Sequence, residues 1–207
     1  MKHYLSINDI DSLPDWVEEA INLKKDPYQF EDLGKRKTLC LLFFNNSLRT
    51  RLSTQKAAMN LGMEVMVMNF GNEGWALEYG DGTIMDQGTS EHIKEAAQVV
   101  SQDCDIVAIR AFAGLVDKAK DEAEEVINGF AKYASIPVVN MESSVGHPLQ
   151  ALADAITLAE NKTKEKPKLE QLCSQKHIPR TPTHHFQVLG NPPFPQLLHP
   201  LAHVGET

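Results

Sequence analysis

The stretch Leu41-Leu42-Phe43-Phe44-Asn45-Asn46-Ser47-Leu48-Arg49-Thr50-Arg51 decides the fold. The run leading into it, Thr38 to Phe44, is apolar almost throughout, the pattern of a parallel strand buried on both faces. Asn45, Asn46 and Ser47 then supply turn and N-cap chemistry, and a helical pattern follows without a linker. The first N–H groups of a helix lack intrahelical partners and carry the positive end of its dipole, so Ser47 to Thr50 offer a place for a phosphate. Arg49 and Arg51 add planar, bidentate donors, and Ser47 and Thr50 add hydroxyls. An ordinary capped helix with two solvated arginines accounts for the same residues equally well.

Working outward, Ser12-Leu13-Pro14-Asp15 opens an N-terminal helix, and Gly62 is placed to end the helix after the first strand. Glu64 to Phe70 reads as a second strand-like run, Asp105 to Arg110 as a third, buried strand and Pro137 to Met141 as a fourth strand. Between them, His92 to Ser101 and Asp117 to Tyr133 each read as one amphipathic helix, and a last helix opens at Pro148 or Leu149 and runs through Ala159. Strands alternating with helices at this spacing predict an α/β fold, a parallel four-stranded sheet with helices on both faces, over residues 1–160. Ligands of such sheets bind at the carboxyl ends of the strands. Candidate groups fall at all four ends: Ser47 after the first, Trp75 in a long glycine-rich loop after the second, Arg110 closing the third, and Glu142 to Gln150 after the fourth.

The 207 residues, 42% hydrophobic, suffice for a real core, and no apolar run approaches membrane-spanning length. The N-terminus lacks a signal-like apolar segment, so a soluble, cytoplasmic protein without a membrane partner is expected. Three widely spaced cysteines, Cys40, Cys104 and Cys173, form neither a disulfide framework nor a zinc pattern. A formal charge of −8 argues against nucleic acid as a partner, so phosphate recognition should be local and directed at a small molecule.

Residues 161–207 change character. A charged linker from Asn161 to Lys168 leads into a stretch punctuated by prolines and scattered histidines, which predicts an irregular tail rather than a second domain.

Gly146-His147-Pro148-Leu149-Gln150-Ala151-Leu152-Ala153-Asp154 puts an imidazole and an amide one turn apart at a loop-to-helix boundary. With Ser-x-Arg-Thr-Arg at Ser47 to Arg51 and Arg110 between, this His-Pro-x-Gln-x-Leu-x-Asp run resembles the carbamoyl-phosphate signature of the aspartate and ornithine carbamoyltransferases. Within that superfamily the chain looks most like the acetylornithine and succinylornithine enzymes of arginine biosynthesis, over Met1 to about Lys168. The resemblance implies carbamoyl phosphate and an N-acylated ornithine as partners, and no cofactor. It implies phosphate and carbamoyl binding by Ser47, Leu48, Arg49, Thr50, Trp75, Arg110, His147 and Gln150. Arg110, His147 and Thr50 would polarise the carbonyl, and Gln150 would accept from the carbamoyl amino group. Trp75 resembles a tryptophan inserted into a neighbouring subunit's site, implying a homotrimer. Glu142 resembles a contact to the amino-acid substrate. Ser90, small where acetyl-type enzymes carry glutamate, would leave room for a succinyl group.

The family continues into an amino-acid-binding domain with a His-Cys-Leu-Pro motif, and nothing after Lys168 corresponds to it; Cys173 precedes Ser174. A truncated or frame-shifted gene is the expectation that follows. A non-catalytic phosphate-ligand-binding or oligomerising fragment is the alternative.

Overall fold

The computed structural model describes residues 2–70, 76–80, 82 and 88–162, together with the backbone of 169–172 and 185–188. In chain order the elements are α1 (Leu13–Lys25), β1 (Thr38–Phe43), α2 (Arg49–Asn60), β2 (Glu64–Asn69), the short β3 (Leu77–Glu78) and β4 (Glu91–His92), α3 (Ile93–Asp103), β5 (Ile106–Arg110), α4 (Lys118–Ala123), α5 (Glu125–Tyr133), β6 (Val138–Glu142), α6 (Pro148–Asn161), β7 (Leu169–Leu172) and β8 (His185–Val188). Contacts divide the chain into two units, Met1–Ile156 and Thr157–Thr207.

The first unit is built on a four-stranded sheet in the order β2-β1-β5-β6 with every pair parallel. Its central strands are apolar runs because both faces are covered: Leu41, Leu42, Val107 and Ile109 are all 0% exposed. On one face Leu42, Val107 and Ile109 pack with Ala97 of α3 and Ile127 and Phe130 of α5. On the other, Leu41, Phe43 and Met141 pack with Ala58 of α2 and Leu149 of α6. Each fully buried Leu, Ile or Phe contributes about 1.5–3 kcal/mol, which makes this double layer the main source of cohesion. Tyr4 covers the outer edge of β6, its N–H donating to Val138 at 2.8 Å and its carbonyl accepting from Asn140 at 2.8 Å. Trp16 of α1 stacks on the same tyrosine at 5.6 Å.

The expected α/β sheet with helices on both faces is what the structure shows. Ser12 caps α1 by accepting from the N–H of Asp15, and Gly62 ends α2 in the left-handed region at φ +75°. Gly62 donates to Met59 and Met63 to Ala58, so the last carbonyls of α2 are satisfied as in a Schellman motif. One expected element differs. Asp117 to Tyr133 is not one helix but α4 and α5, broken at Glu124, which adopts φ +48°, ψ +45°. Its Oε1 accepts the N–H of Val145 at 3.2 Å, a contact from a distant loop that no helical periodicity announces.

In the second unit, β7 and β8 form an antiparallel pair, Leu169 opposite Val188 and Leu172 opposite His185.

Candidate functional site

Arg110 closes β5, and its guanidinium is fixed in three ways. Nε donates to Oε2 of Glu142 at 3.2 Å, Nη1 donates to the carbonyls of Asn46 at 2.7 Å and Asn45 at 3.4 Å, and Cζ lies 3.9 Å from the Phe112 ring centre. The other terminal nitrogen, Nη2, makes no hydrogen bond among the described residues. With the whole residue 8% exposed, this is a nearly desolvated cation whose remaining donors are available to a ligand.

The turn from β1 into α2 is docked on the same strand end. Phe44 donates to the Arg110 carbonyl at 3.0 Å, and Oδ1 of Asn45 accepts the N–H of Phe112 at 2.7 Å. Helix α2 begins at Arg49, with Leu48 in the N-cap position and no side chain capping it. Ser47 is therefore not the cap that the turn chemistry suggested. The consequence favours an anion, because the first N–H groups of α2 keep their donors unspent on a side chain. Arg49 is exposed, and Ser47 and Thr50 are half-buried. Arg51 points elsewhere: Nη1 donates to Oδ1 of Asn69 at the end of β2 at 3.0 Å, and Cζ lies 6.0 Å from the Phe43 ring. Two positions along a helix diverge by about 200°, so Arg49 and Arg51 cannot serve one face together.

His147 precedes α6 and caps it. Its carbonyl accepts from Ala151 at 3.0 Å, and its Nδ1 accepts the N–H of Gln150 at 3.3 Å. That bond assigns the ring proton of the neutral form to Nε2, which lies 3.6 Å from Oε2 of Glu142. Burial pushes the His147 pKa down, with Arg110 acting in the same direction and Glu142 and Asp154 opposing. The ring is consequently a neutral Nε2–H donor near neutral pH. One turn on, Gln150 donates Nε2–H to Oδ1 of Asp154 at 2.8 Å.

Arg110, Glu142, His147 and Gln150 thus form one connected cluster, and the Asn45–Asn46 turn ties the start of α2 to it. Ser90 lies outside that cluster: it precedes β4 and donates its N–H to Ala76 at 3.3 Å, beside the small β3–β4 sheet. Trp75 falls outside the described residues. Sequence reasoning missed Phe112, the Asn45 side-chain bond and the hydrogen bond between Gln150 and Asp154. The spacing of four residues between Gln150 and Asp154 was the available signal for the last; Asn45 and Phe112 are joined only by the fold.

The arrangement joins an uncapped helix start to two N–H donors on Arg110 and His147 through the Asn45–Asn46 turn and Glu142, a donor set whose chemistry suits an anion and a carbonyl oxygen. Residues 2–160 match the family model described as aspartate/ornithine carbamoyltransferase, carbamoyl-P binding domain. The chain is 45% identical over 169 residues to an N-succinylornithine carbamoyltransferase of Bacteroides thetaiotaomicron, covering 82% of this chain and 53% of that one. It is 39% identical over 166 residues to an N-acetylornithine carbamoyltransferase of Xanthomonas campestris, covering 78% and 47%. Among solved structures, it is similar to an acetylornithine transcarbamylase complexed with acetylcitrulline, at 39% identity and TM-score 0.73 over 77% of this chain and 48% of that one. A substituted N-acetyl-L-ornithine transcarbamylase complexed with carbamyl phosphate and N-succinyl-L-norvaline matches at 40% identity and TM-score 0.72, over 77% and 48%. The chain spans about half the length of the relatives it matches.

Proposed function

The chain belongs to the aspartate/ornithine carbamoyltransferase family, and on that premise we propose that it takes part in transfer of the carbamoyl group of carbamoyl phosphate to the side-chain amine of an N-acylated ornithine. The observation that carries this reading is the meeting of Arg110 and His147 at Oε2 of Glu142, with Arg110 also bonded to the turn that leads into the uncapped start of α2. The phosphate sits at the helix N-terminus with Ser47, Leu48, Arg49 and Thr50 around it. Nη2 of Arg110, Nε2–H of His147 and the Thr50 hydroxyl donate to the carbonyl oxygen, and Oε1 of Gln150 accepts from the carbamoyl amino group. Attack by the amine nitrogen builds charge on that oxygen, where the fixed donors stabilise it. Collapse breaks the carbon–oxygen bond to phosphate, and the proton shed by the amine leaves with the phosphate dianion. Removing one such donor costs roughly a hundred- to a thousandfold in turnover.

A succinyl rather than an acetyl group on the ornithine is favoured by the small Ser90 and by the name of the 45% identical relative. Glu142 contacts the amino-acid substrate once its present partners share it. The working assembly is a cytoplasmic homotrimer acting in arginine biosynthesis, with Trp75 reaching a neighbour's site. Residues 1–160 are the carbamoyl-phosphate-binding domain and 161–207 an appendage. A second reading is a non-catalytic phosphate-ligand-binding or oligomerising fragment, which would use the uncapped start of α2 without the transfer step.

Incubation of the protein with carbamoyl phosphate and N-succinylornithine, with product quantified as acylcitrulline, tests the proposal. Turnover lost in Arg110→Ala and His147→Ala supports it. Phosphate binding without turnover favours the second reading, and absence of both overturns the site.

A further inference from the structure

We propose that Asp154 is a positioning residue that fixes the orientation of the Gln150 amide and thereby makes the site selective for a ligand carrying an amino group next to its carbonyl. The inference rests on the carbamoyl-phosphate reading and deepens it. A glutamine amide is nearly symmetric in shape, so only its partners decide which end faces a ligand. An ionised carboxylate accepts and never donates. The 2.8 Å bond from Gln150 to Oδ1 of Asp154 therefore requires the NH2 end of the amide to face Asp154, which leaves Oε1 turned away from it. The backbone from which the side chain springs is itself fixed, because the N–H of Gln150 is held by Nδ1 of His147 at 3.3 Å in the first turn of α6.

The site then presents an ordered pattern of donors and an acceptor. Arg110 and His147 offer N–H groups, and Gln150 offers a lone acceptor one turn from His147. A carbamoyl group, with a carbonyl oxygen and an NH2 on the same carbon, matches both. A ligand with methyl in place of NH2 satisfies the donors and leaves Oε1 of Gln150 unpaired. Without Asp154 the amide is free to turn its NH2 toward the ligand's NH2, and the discrimination disappears while the phosphate contacts remain.

The test uses two stable phosphonates, phosphonoacetamide and 2-oxopropylphosphonate, which differ only in NH2 against CH3, with inorganic phosphate as reference. Calorimetric titration of the full chain is expected to show tighter binding of the amide than of the ketone. In Asp154→Ala and in the near-isosteric Asp154→Asn, that preference should fall about three- to tenfold, the worth of one hydrogen bond, with phosphate affinity changed less than about twofold. Circular dichroism of both variants should match the parent. Variants that keep the parent's preference overturn the inference, as does equal loss of all three ligands, which marks a merely structural role. A parent that binds phosphate but does not distinguish amide from ketone overturns it while leaving the phosphate site standing. A parent that binds none of the three overturns the carbamoyl-phosphate reading and this inference together.

Discussion

Arg110 and Glu142 stand opposite each other at the ends of β5 and β6, Nε to Oε2 at 3.2 Å, because the register between these strands slips by one residue. Ile109 pairs with Asn140, yet the next residue, Arg110, pairs with Glu142 and skips Met141. A bulge re-aims a side chain without disturbing the strands below it, and here it lets Met141 stay fully buried while a carboxylate reaches the arginine. The side chains are 10% and 19% exposed, so the pair is largely desolvated and each charge depends on the other.

Glu142→Ala should therefore destabilise the fold by about 2–3 kcal/mol, below the range for a fully buried pair because water still reaches the carboxylate. The double variant Arg110→Met, Glu142→Leu should recover most of that loss, since it removes the stranded charge. Chemical denaturation of the three proteins measures both numbers. A single variant within about 0.5 kcal/mol of the parent would mean that Arg110 is solvated well enough without its partner.

Arg49→Ala should weaken inorganic phosphate binding by about ten- to a hundredfold, the range for a hydrogen bond to a charged group. Arg36→Ala should leave it unchanged, although both residues are exposed arginines. Only Arg49 begins a helix whose N-terminus no side chain caps. Titration at fixed ionic strength separates the two, and equal losses would point to general charge attraction rather than a built site.

The sheet was legible because its central strands are two-sided apolar runs, a signal written locally in Thr38–Phe43 and Ile106–Arg110. Caps that depend on one residue type, Ser12 and Gly62, were legible for the same reason. The break at Glu124 was not, because glutamate has no preference for positive φ and the contact that accompanies it comes from Val145, 21 residues away. Ser47 and Arg51 misled in a related way. Their chemistry suits an anion site, but the start of α2 at Arg49 left Ser47 outside the cap, and Asn69 of a neighbouring strand engaged Arg51. Motif order along the chain named the strand ends correctly and could not tell which side chains the register would turn inward.

Gly62→Ala should cost about 2 kcal/mol or more. The left-handed φ of +75° alone costs an L-residue roughly 1–2 kcal/mol, and an added Cβ would fall against the carbonyl oxygen of Glu31. Gly82→Ala, at φ +76° with nothing among the described residues within 4 Å of its Cβ, should cost only the backbone part. Thermal unfolding of the two variants compares them directly. A smaller effect at Gly62 than at Gly82 would show that the turn after α2 shifts to relieve the clash.

Stability should fall on mild acidification, and His147 should be one source. Its folded-state pKa lies below the ordinary value of about 6.5, chiefly through burial, so the unfolded chain takes up the proton more readily. The stabilising contribution is then complete above about pH 6.5 and is lost as pH falls through the lower folded value. Structure gives the same sign: Nδ1 accepts the N–H of Gln150, and a protonated ring has no acceptor left for it. His3 acts in the same direction, its pKa lowered by burial and by Lys2 while its Nδ1 accepts the N–H of Val138 at 3.1 Å. His147→Asn supplies a capping oxygen that does not titrate. Urea unfolding of parent and variant between pH 7.5 and pH 5 should give similar stabilities at the upper end and a shallower decline for the variant, with the remaining slope contributed in part by His3. Carboxylates such as Asp105, held low mainly by its hydrogen bond from Lys37, act only at more acidic pH and do not enter this window. Parallel curves for the two proteins would remove His147 from the titration, and a parent that gains stability between pH 7 and pH 5.5 would contradict the sign itself.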